Sequence, residues 1–193
     1  MNSPIHAIVL AAGLGSRFDP SGQHFKLLQT LPDGRPIIRA SCQTLLSVLR
    51  KVSVVCGNKE NGIRSALADL PVDIVSCADA ALGMGATIRC GARASSPTTG
   101  WLIMLADMPY VQVSTVDSVT HALLDGADIA RPFFQGQPGH PVGFSTRLAN
   151  TLRYCDPHSG LKKVIQQHGS QMARIEVNDP GATHDVDYPA DII

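Results

Sequence analysis

Two stretches of this chain carry residues whose types and spacing could do chemistry. Gly13-Leu14-Gly15-Ser16-Arg17 follows the apolar run Ala7 to Ala12, and Lys26 stands nine residues beyond Arg17. Two glycines let the backbone turn tightly and leave no Cβ in the way of a ligand. The N–H groups exposed in such a turn can form an anion-binding concavity. Arg17 and Lys26 would add positive charge beside it. The other reading is a tight strand-to-helix turn that binds nothing. The second stretch is Asp107, which ends the apolar run Trp101 to Ala106 and is followed by Met108-Pro109. A carboxylate in a crevice is costly to leave unpaired, so a cation or a donor is expected beside it. Capping a helix N-terminus is the other role open to Asp107. Asp185 and Asp187 lie two residues apart, so in an extended segment they share a face.

Two common phosphate loops do not fit the glycine stretch. A P-loop requires Gly-Lys-Ser/Thr, which occurs nowhere in the chain. The dinucleotide fingerprint requires a third small residue and an acid about twenty residues on. Phe18 stands at that third position, and Asp33 lies in a Pro32-Asp33-Gly34 turn.

The elements that must position these residues alternate. Ala7 to Ala12 reads as a strand buried on both faces. Pro36 opens a helix whose apolar face runs through Ile37, Ala40, Leu45, Val48 and Leu49. Val52 to Cys56 is a strand, Glu60 to Leu70 a helix, and Val72 to Cys77 a third strand. Gly85 to Ala94 is a helix, and Trp101 to Ala106 a fourth buried strand. The second half is less regular. It gives a helix over Val113 to Asp125, a short strand over Ala127 to Arg131, and a Gly/Pro-rich ribbon over Phe133 to Phe144. Helical stretches at Thr146 to Tyr154 and Leu161 to His168 and a late strand over Ala173 to Val177 follow. This alternation predicts an α/β fold: three layers, doubly wound, a mostly parallel sheet with helices on both faces. In the strand order 3-2-1-4, strands one and four are neighbours where the winding reverses, and a crevice opens beyond their C-terminal ends. The glycine loop and Asp107 would meet there.

The chain of 193 residues suits one domain, and 44% hydrophobic residues argue against disorder. Lys+Arg and Asp+Glu number 16 each, so no broad basic field exists for nucleic acid. No apolar run reaches the roughly 18 residues a membrane helix needs, and the start lacks a signal peptide's pattern. A cytoplasmic protein is expected. The five scattered cysteines have no C-x-x-C pair and are expected to be reduced and structural. His6, His24, His121, His168 and His184 have no metal-ligand spacing.

With these pieces placed, the chain resembles the MobA-like nucleotidyltransferases, and most of all their molybdenum cofactor cytidylyltransferase branch. The matching segments are LAAGLGSR (Leu10 to Arg17), GMGATIR (Gly83 to Arg89), LADMP (Leu105 to Pro109), GHPVGF (Gly139 to Phe144) and DVDYP (Asp185 to Pro189). They stand in family-like order, and the resemblance covers nearly the whole chain. The resemblance implies a Rossmann-like nucleotidyltransferase fold over residues 1–193. The NTP-binding part would take up about 1–110 and the acceptor-binding part about 111–193.

The resemblance also implies roles. Leu10, Ala11, Ala12, Gly13, Leu14, Gly15 and Ser16 would hold the nucleotide, with Gly83 and Met84 beside its base. Arg17, Lys26 and Asp107 would be catalytic. Asp107 and Asp187 would hold Mg²⁺, with Asp185 the competitor for the second place. Gly139, His140 and Pro141 would line the acceptor side. Two departures stand out. Asp19-Pro20-Ser21-Gly22 look inserted between Arg17 and Lys26, which the family keeps closer. Before the last helix, His158-Ser159-Gly160-Leu161-Lys162-Lys163 replaces an Asp/Gly/Ala/Arg cluster, so Lys162 or Lys163 would stand in for an arginine that meets an acidic acceptor. The implied reaction moves CMP from CTP to a molybdopterin-type cofactor with release of pyrophosphate, with transient contact to a molybdoenzyme or its chaperone. Guanylyl transfer to the same cofactor, nucleotidyl transfer to a phosphorylated sugar or alcohol, and a non-catalytic nucleotide-binding or chaperone-like module are the alternatives.

Overall fold

The computed structural model describes residues 4–13, 15–21, 23–169 and 172–193. Leu14, expected in the nucleotide loop, lies outside the described residues.

β1 (Ile5–Ala11) and β2 (Val52–Cys56) are buried at every position. The cause is the alternation of their side chains between two covered faces. Ala7, Val9 and Ala11 pack into a core with Ile37 and Leu45 of α1 (Ile37–Leu46) and Val116 of α4 (Val113–Leu124). Ile8 and Leu10 point the other way. They join a second core with Ile88 of α3 (Met84–Ala94), Leu152 of α5 (Ala149–Arg153) and Leu161 of α6 (Gly160–His168). The continuous apolar runs therefore feed two layers of helices, as expected of strands covered on both sides.

The sheet order is β3-β2-β1-β4-β7-β5-β6, with β8 paired to β5. β3 is Asp73–Ser76, β4 is Gly100–Leu105, and β1 to β4 are mutually parallel. The expected 3-2-1-4 order is what the structure has. Beyond β4 the sheet is mixed. β7 (Val142–Ser145) runs antiparallel to both β4 and β5 (Ile129–Phe134), while β8 (Met172–Glu176) is parallel to β5. β6 (Gln137–Pro138) only closes the hairpin after β5. The Gly/Pro-rich ribbon folds back on itself, and that return inserts β7 between two strands of opposite sense.

Two helices stop short of their apolar patterns. α2 (Glu60–Ala66) ends before Leu70, and the Arg39 guanidinium donates to the Ala66 carbonyl at 3.2 Å and to Asp69 at 2.6 Å. This caps the orphan carbonyl from a neighbouring helix. α1 ends at Leu46, yet Leu49 still packs in the core through a tight turn. The expectation of five reduced cysteines is corrected. Cys77, just past β3, is bonded to Cys90 on α3, with their Cα atoms 6.0 Å apart, and Cys42, Cys56 and Cys155 are free and buried. Strand-to-helix packing brings the pair together across 13 residues that carry no recognisable disulfide spacing. No helix among the described residues is long and apolar enough to cross a membrane.

The α4 N-terminus is capped from a distance. The buried Asp179 carboxylate accepts from the Gln112 N–H at 2.9 Å and from the Thr115 hydroxyl at 2.6 Å. A negative charge suits the positive end of a helix. The contact also anchors the turn over Pro180–Thr183 that precedes the acidic tail. Asp179→Ala is expected to lower unfolding stability by about 1–3 kcal/mol, from the lost cap and two donors left without their acceptor. Urea denaturation of the two proteins measures it.

Candidate active site

The glycine loop and Asp107 do meet, and the sheet register is the reason. Leu10 of β1 lies opposite Leu105 of β4, and the Ala106 N–H donates to the Leu10 carbonyl at 3.1 Å. The chain beyond each strand therefore enters the same space. Ala11 lies opposite Cys56, so Gly57 and Asn58 join from β2. A cleft of about 610 Å³ opens over these three strand ends. Of the residues expected to hold nucleotide, Leu10, Ala12, Gly13, Gly15, Ser16, Gly83 and Met84 line it. Ala11 is buried in the core below it.

Lys26 is 8% exposed, so the solvated fate usual for lysine does not apply. Its Nζ lies 2.5 Å from Asp107 Oδ2 and 3.5 Å from Asp187 Oδ1. Arg17 donates to the other oxygen of Asp187. Gly15, at φ +68°, makes room for this lysine. A Cβ there would lie 3.1 Å from the Lys26 Cβ, and the left-handed backbone would be strained. The inserted segment between Arg17 and Lys26 is ordered by Asp19. Its carboxylate accepts from the Ser21 N–H at 2.8 Å and hydroxyl at 2.6 Å, and from the His24 N–H at 2.6 Å. These bonds hold the Asp19 carboxyl well below the usual carboxylate range, the Ser21 hydroxyl contributing most. The sequence shows the insertion but not that it is tied.

The acidic tail is brought to Asp107 by the backbone. The Val186 N–H donates to the Asp107 carbonyl at 2.9 Å, which puts Asp185 and Asp187 on either side. Asp191 fixes the tail further, its Oδ2 accepting from the Asp187 N–H at 2.8 Å and the Tyr188 N–H at 2.6 Å. Asp107, Asp185 and Asp187 can each offer an oxygen within 4.8 Å of the others. Lys26 and Arg17 offset part of the mutual repulsion of these carboxylates, and hard oxygen donors this close could hold a divalent cation. Asp185 and Asp187 both converge on Asp107.

A second cavity of about 510 Å³ adjoins the first at Met84, which lines both. Of the three residues expected on the acceptor side, His140 lines it and Gly139 and Pro141 do not. Gly139 instead packs on the Ala182 carbonyl, 2.5 Å from where its Cβ would lie. Of the two lysines, Lys162 lines this cavity, while Lys163 lies 3.8 Å from Asp156. Arg131 of β5 also lines it and was missed in the sequence. The signal was an arginine within the otherwise apolar IARPFF strand. The glycines of GMGATIR let α3 approach the other wall. A Cβ on Gly85 would come within 2.0 Å of the Asp156 carbonyl, and one on Gly83 within 2.8 Å of the Pro157 carbonyl.

The α/β sheet thus carries a glycine loop, a buried lysine and three converging carboxylates at its switch point. A sequence profile of the MobA-like NTP transferase domain matches residues 7–172, and the chain belongs to that family. Among curated relatives, the bifunctional protein GlmU of Pseudothermotoga lettingae is 30% identical over 118 residues, 61% of this chain but 25% of its own length. The chain thus spans about a quarter of that relative. Among solved structures, Rv0371c of Mycobacterium tuberculosis superposes with TM-score 0.83 at 22% identity, covering 99% of this chain and 96% of that one. A nucleotidyl transferase from Methanothermobacter thermautotrophicus gives 0.82 at 23%, covering 97% and 93%.

Burial pushes the His140 imidazole down to about 4 from its ordinary 6.5, with the Arg131 charge adding to the effect and the Ile103 carbonyl and Asp185 opposing it. His140 is therefore neutral in the folded protein near pH 7. Below pH 6.5 the unfolded chain binds a proton there that the folded chain does not, until about pH 4. Its contribution is complete above that window and is lost as pH falls through it, by at most about 3 kcal/mol. Urea titrations from pH 7 to 4.5 should show His140→Gln losing stability less steeply than the unaltered protein. Some slope will remain, because burial also lowers the His6 pKa.

Proposed function

We propose that the protein transfers CMP from CTP to a molybdopterin-type molybdenum cofactor, releasing pyrophosphate with Mg²⁺. The observation that carries the transfer is the Lys26–Asp107–Asp187 constellation facing the glycine loop across one cleft. In this reaction an acceptor oxygen attacks the α-phosphorus, the bond to the bridging oxygen breaks, and pyrophosphate leaves with the electron pair. Such chemistry is mostly positioning and charge neutralisation. Backbone N–H groups at Gly13, Gly15 and Ser16 cradle the triphosphate, and Arg17 steadies it. Lys26 exchanges its carboxylate partner for a phosphate oxygen as the nucleotide enters. Asp107 and Asp187, with Asp185 beside them, would hold Mg²⁺, which offsets charge on the phosphates and the leaving group.

The choice of CTP is supported by the floor of the cleft. A Cβ on Gly57 would lie 3.3 Å from the Ala80 Cβ and 3.6 Å from the Ala12 Cβ. The methyl of Ala12 therefore narrows the space beside the backbone, which favours a single-ring base. The choice of acceptor is supported by the resemblance to the cytidylyltransferase branch. Its segments GMGATIR, GHPVGF and DVDYP fall around the two adjoining cavities. Rv0371c has also been solved in complex with manganese, in keeping with a divalent ion in this fold.

The test is pyrophosphate release with each of the four NTPs plus Mg²⁺, with and without molybdopterin cofactor. CTP with the cofactor should give the fastest release, and calorimetry should find CTP bound more tightly than GTP. Release with a phosphorylated sugar but not with the cofactor would reassign the acceptor, and no release with any acceptor would mark a binding module. Asp107→Asn should slow release by about 100-fold or more, from several kcal/mol of lost charge stabilisation. Wild-type turnover and Mg²⁺ dependence in both Asp107→Asn and Asp187→Asn would show that the metal is held elsewhere.

A further inference from the structure

One wall of the cleft is weakly held by packing. Ala80, Ala81, Gly83 and Met84 line it, and Thr87 continues it into α3. No residue from Ala78 to Met84 is buried. The backbone bonds of this stretch are local turns: Ala80 donates to Cys77, Leu82 to Asp79 and Gly83 to Ala80. The strand that leads into it, β3, stands at the edge of the sheet, and none of its residues is buried. Asp79 meets Arg89 at 3.3 Å, but the aspartate is exposed, and such surface pairs add little. Firm packing begins only where Gly85 meets the Asp156 carbonyl and Ile88 enters the core. Stretches with few buried apolar contacts open locally at low free-energy cost.

What closes this stretch is covalent. Cys77 and Cys90 are joined, and every wall residue from Ala80 to Thr87 lies in the loop between them. A cross-link restricts the open states of the loop it closes, and cutting it returns that freedom. Neither cysteine lines the cleft, so the bond acts on the wall and not on a ligand. Cys77 is buried, whereas Cys90 is half-buried on α3 and is the sulfur that a reductant can reach.

We propose that the Cys77–Cys90 bond is a redox switch on nucleotide binding: a dithiol that reduces it loosens this wall and weakens the hold of the cleft on its NTP. A thiolate of the dithiol attacks the Cys90 Sγ, the S–S bond breaks, and Cys77 leaves as a thiolate that takes up a proton. The second thiol of the reagent then attacks the mixed disulfide. It releases Cys90 as a thiolate that is protonated in turn, and the reagent leaves as its cyclic disulfide. Two electrons and two protons pass to the protein, and a small-molecule disulfide runs the exchange backwards. The switch rests on the nucleotide half of the proposed transfer.

The full chain, before and after dithiothreitol, tests it. Denatured without reductant, three of the five cysteines should react with N-ethylmaleimide, and all five after reduction. Five reacting without reductant overturns the proposal. In the folded chain, reduction should speed hydrogen exchange at the Leu82, Gly83 and Ala86 amides, which the turns of the wall hold. Calorimetry with each of the four Mg-NTPs should find the tightest one weakened about tenfold, the drop expected if the reduced wall is correctly placed about a tenth of the time. Cys90→Ser should bind as the reduced chain does and should not respond to dithiothreitol. If that variant fails to fold, the reduced unaltered chain carries the comparison. Equal exchange in the two states, or equal nucleotide affinity, overturns the switch and leaves the nucleotide reading standing. No NTP bound in either state fails the nucleotide reading itself and takes the switch with it.

Discussion

Lys26 buries an ammonium group between two carboxylates, and much of the site is arranged so that this is tolerable. Burying an ammonium group is costly without close partners, and for Lys26, which is 8% exposed, Asp107 at 2.5 Å supplies the first. Asp107 can do so because the last β1–β4 pair is Leu10 with Leu105, which brings the turn after β4 to the end of β1. The second partner, Asp187, arrives through the bond from Val186 to the Asp107 backbone and is held by Asp191. Gly15 clears space over the lysine's own Cβ. Each of these features has a local cause, and together they place one positive charge among three negative ones at the mouth of the sheet.

The two cavities form one path because α3 begins between them. Its first turn is pressed against the 156–157 segment so tightly that Gly83 and Gly85 leave no room for side chains. Met84 is then left to separate, and to connect, the cleft of the glycine loop and the cavity of Arg131, His140 and Lys162. The disulfide from Cys77 to Cys90 ties the same helix to the end of β3, beside the wall formed by Ala80 and Ala81. The helix that borders both cavities is thus fixed at its start and along its length.

Much of the first half was legible in the residues themselves. Buried parallel strands are written as continuous apolar runs, and the turns that end them by glycine, proline or a lone acid. The runs at Ala7, Val52 and Trp101 therefore located β1, β2 and β4, and the 3-2-1-4 order placed the loop and Asp107 in one crevice. The second half was less legible. A hairpin that inserts β7 antiparallel between β4 and β5 depends on long-range pairing, which leaves only a vague Gly/Pro-rich signature.

What the sequence determined by itself was local chemistry: a tight glycine turn, basic residues after it, an acid at a strand end and two acids sharing a face. These follow from backbone freedom and side-chain period, which neighbours in the chain set. Tertiary structure alone decided which groups meet. It buried Lys26 against Asp107 across 81 residues and joined Cys77 to Cys90. It turned Lys162 but not Lys163 to the second cavity, and left Arg131 there with no carboxylate among the described residues lining it. Such pairings depend on strand register, helix rotation and the space a glycine leaves, and none of these is a property of a residue and its immediate neighbours.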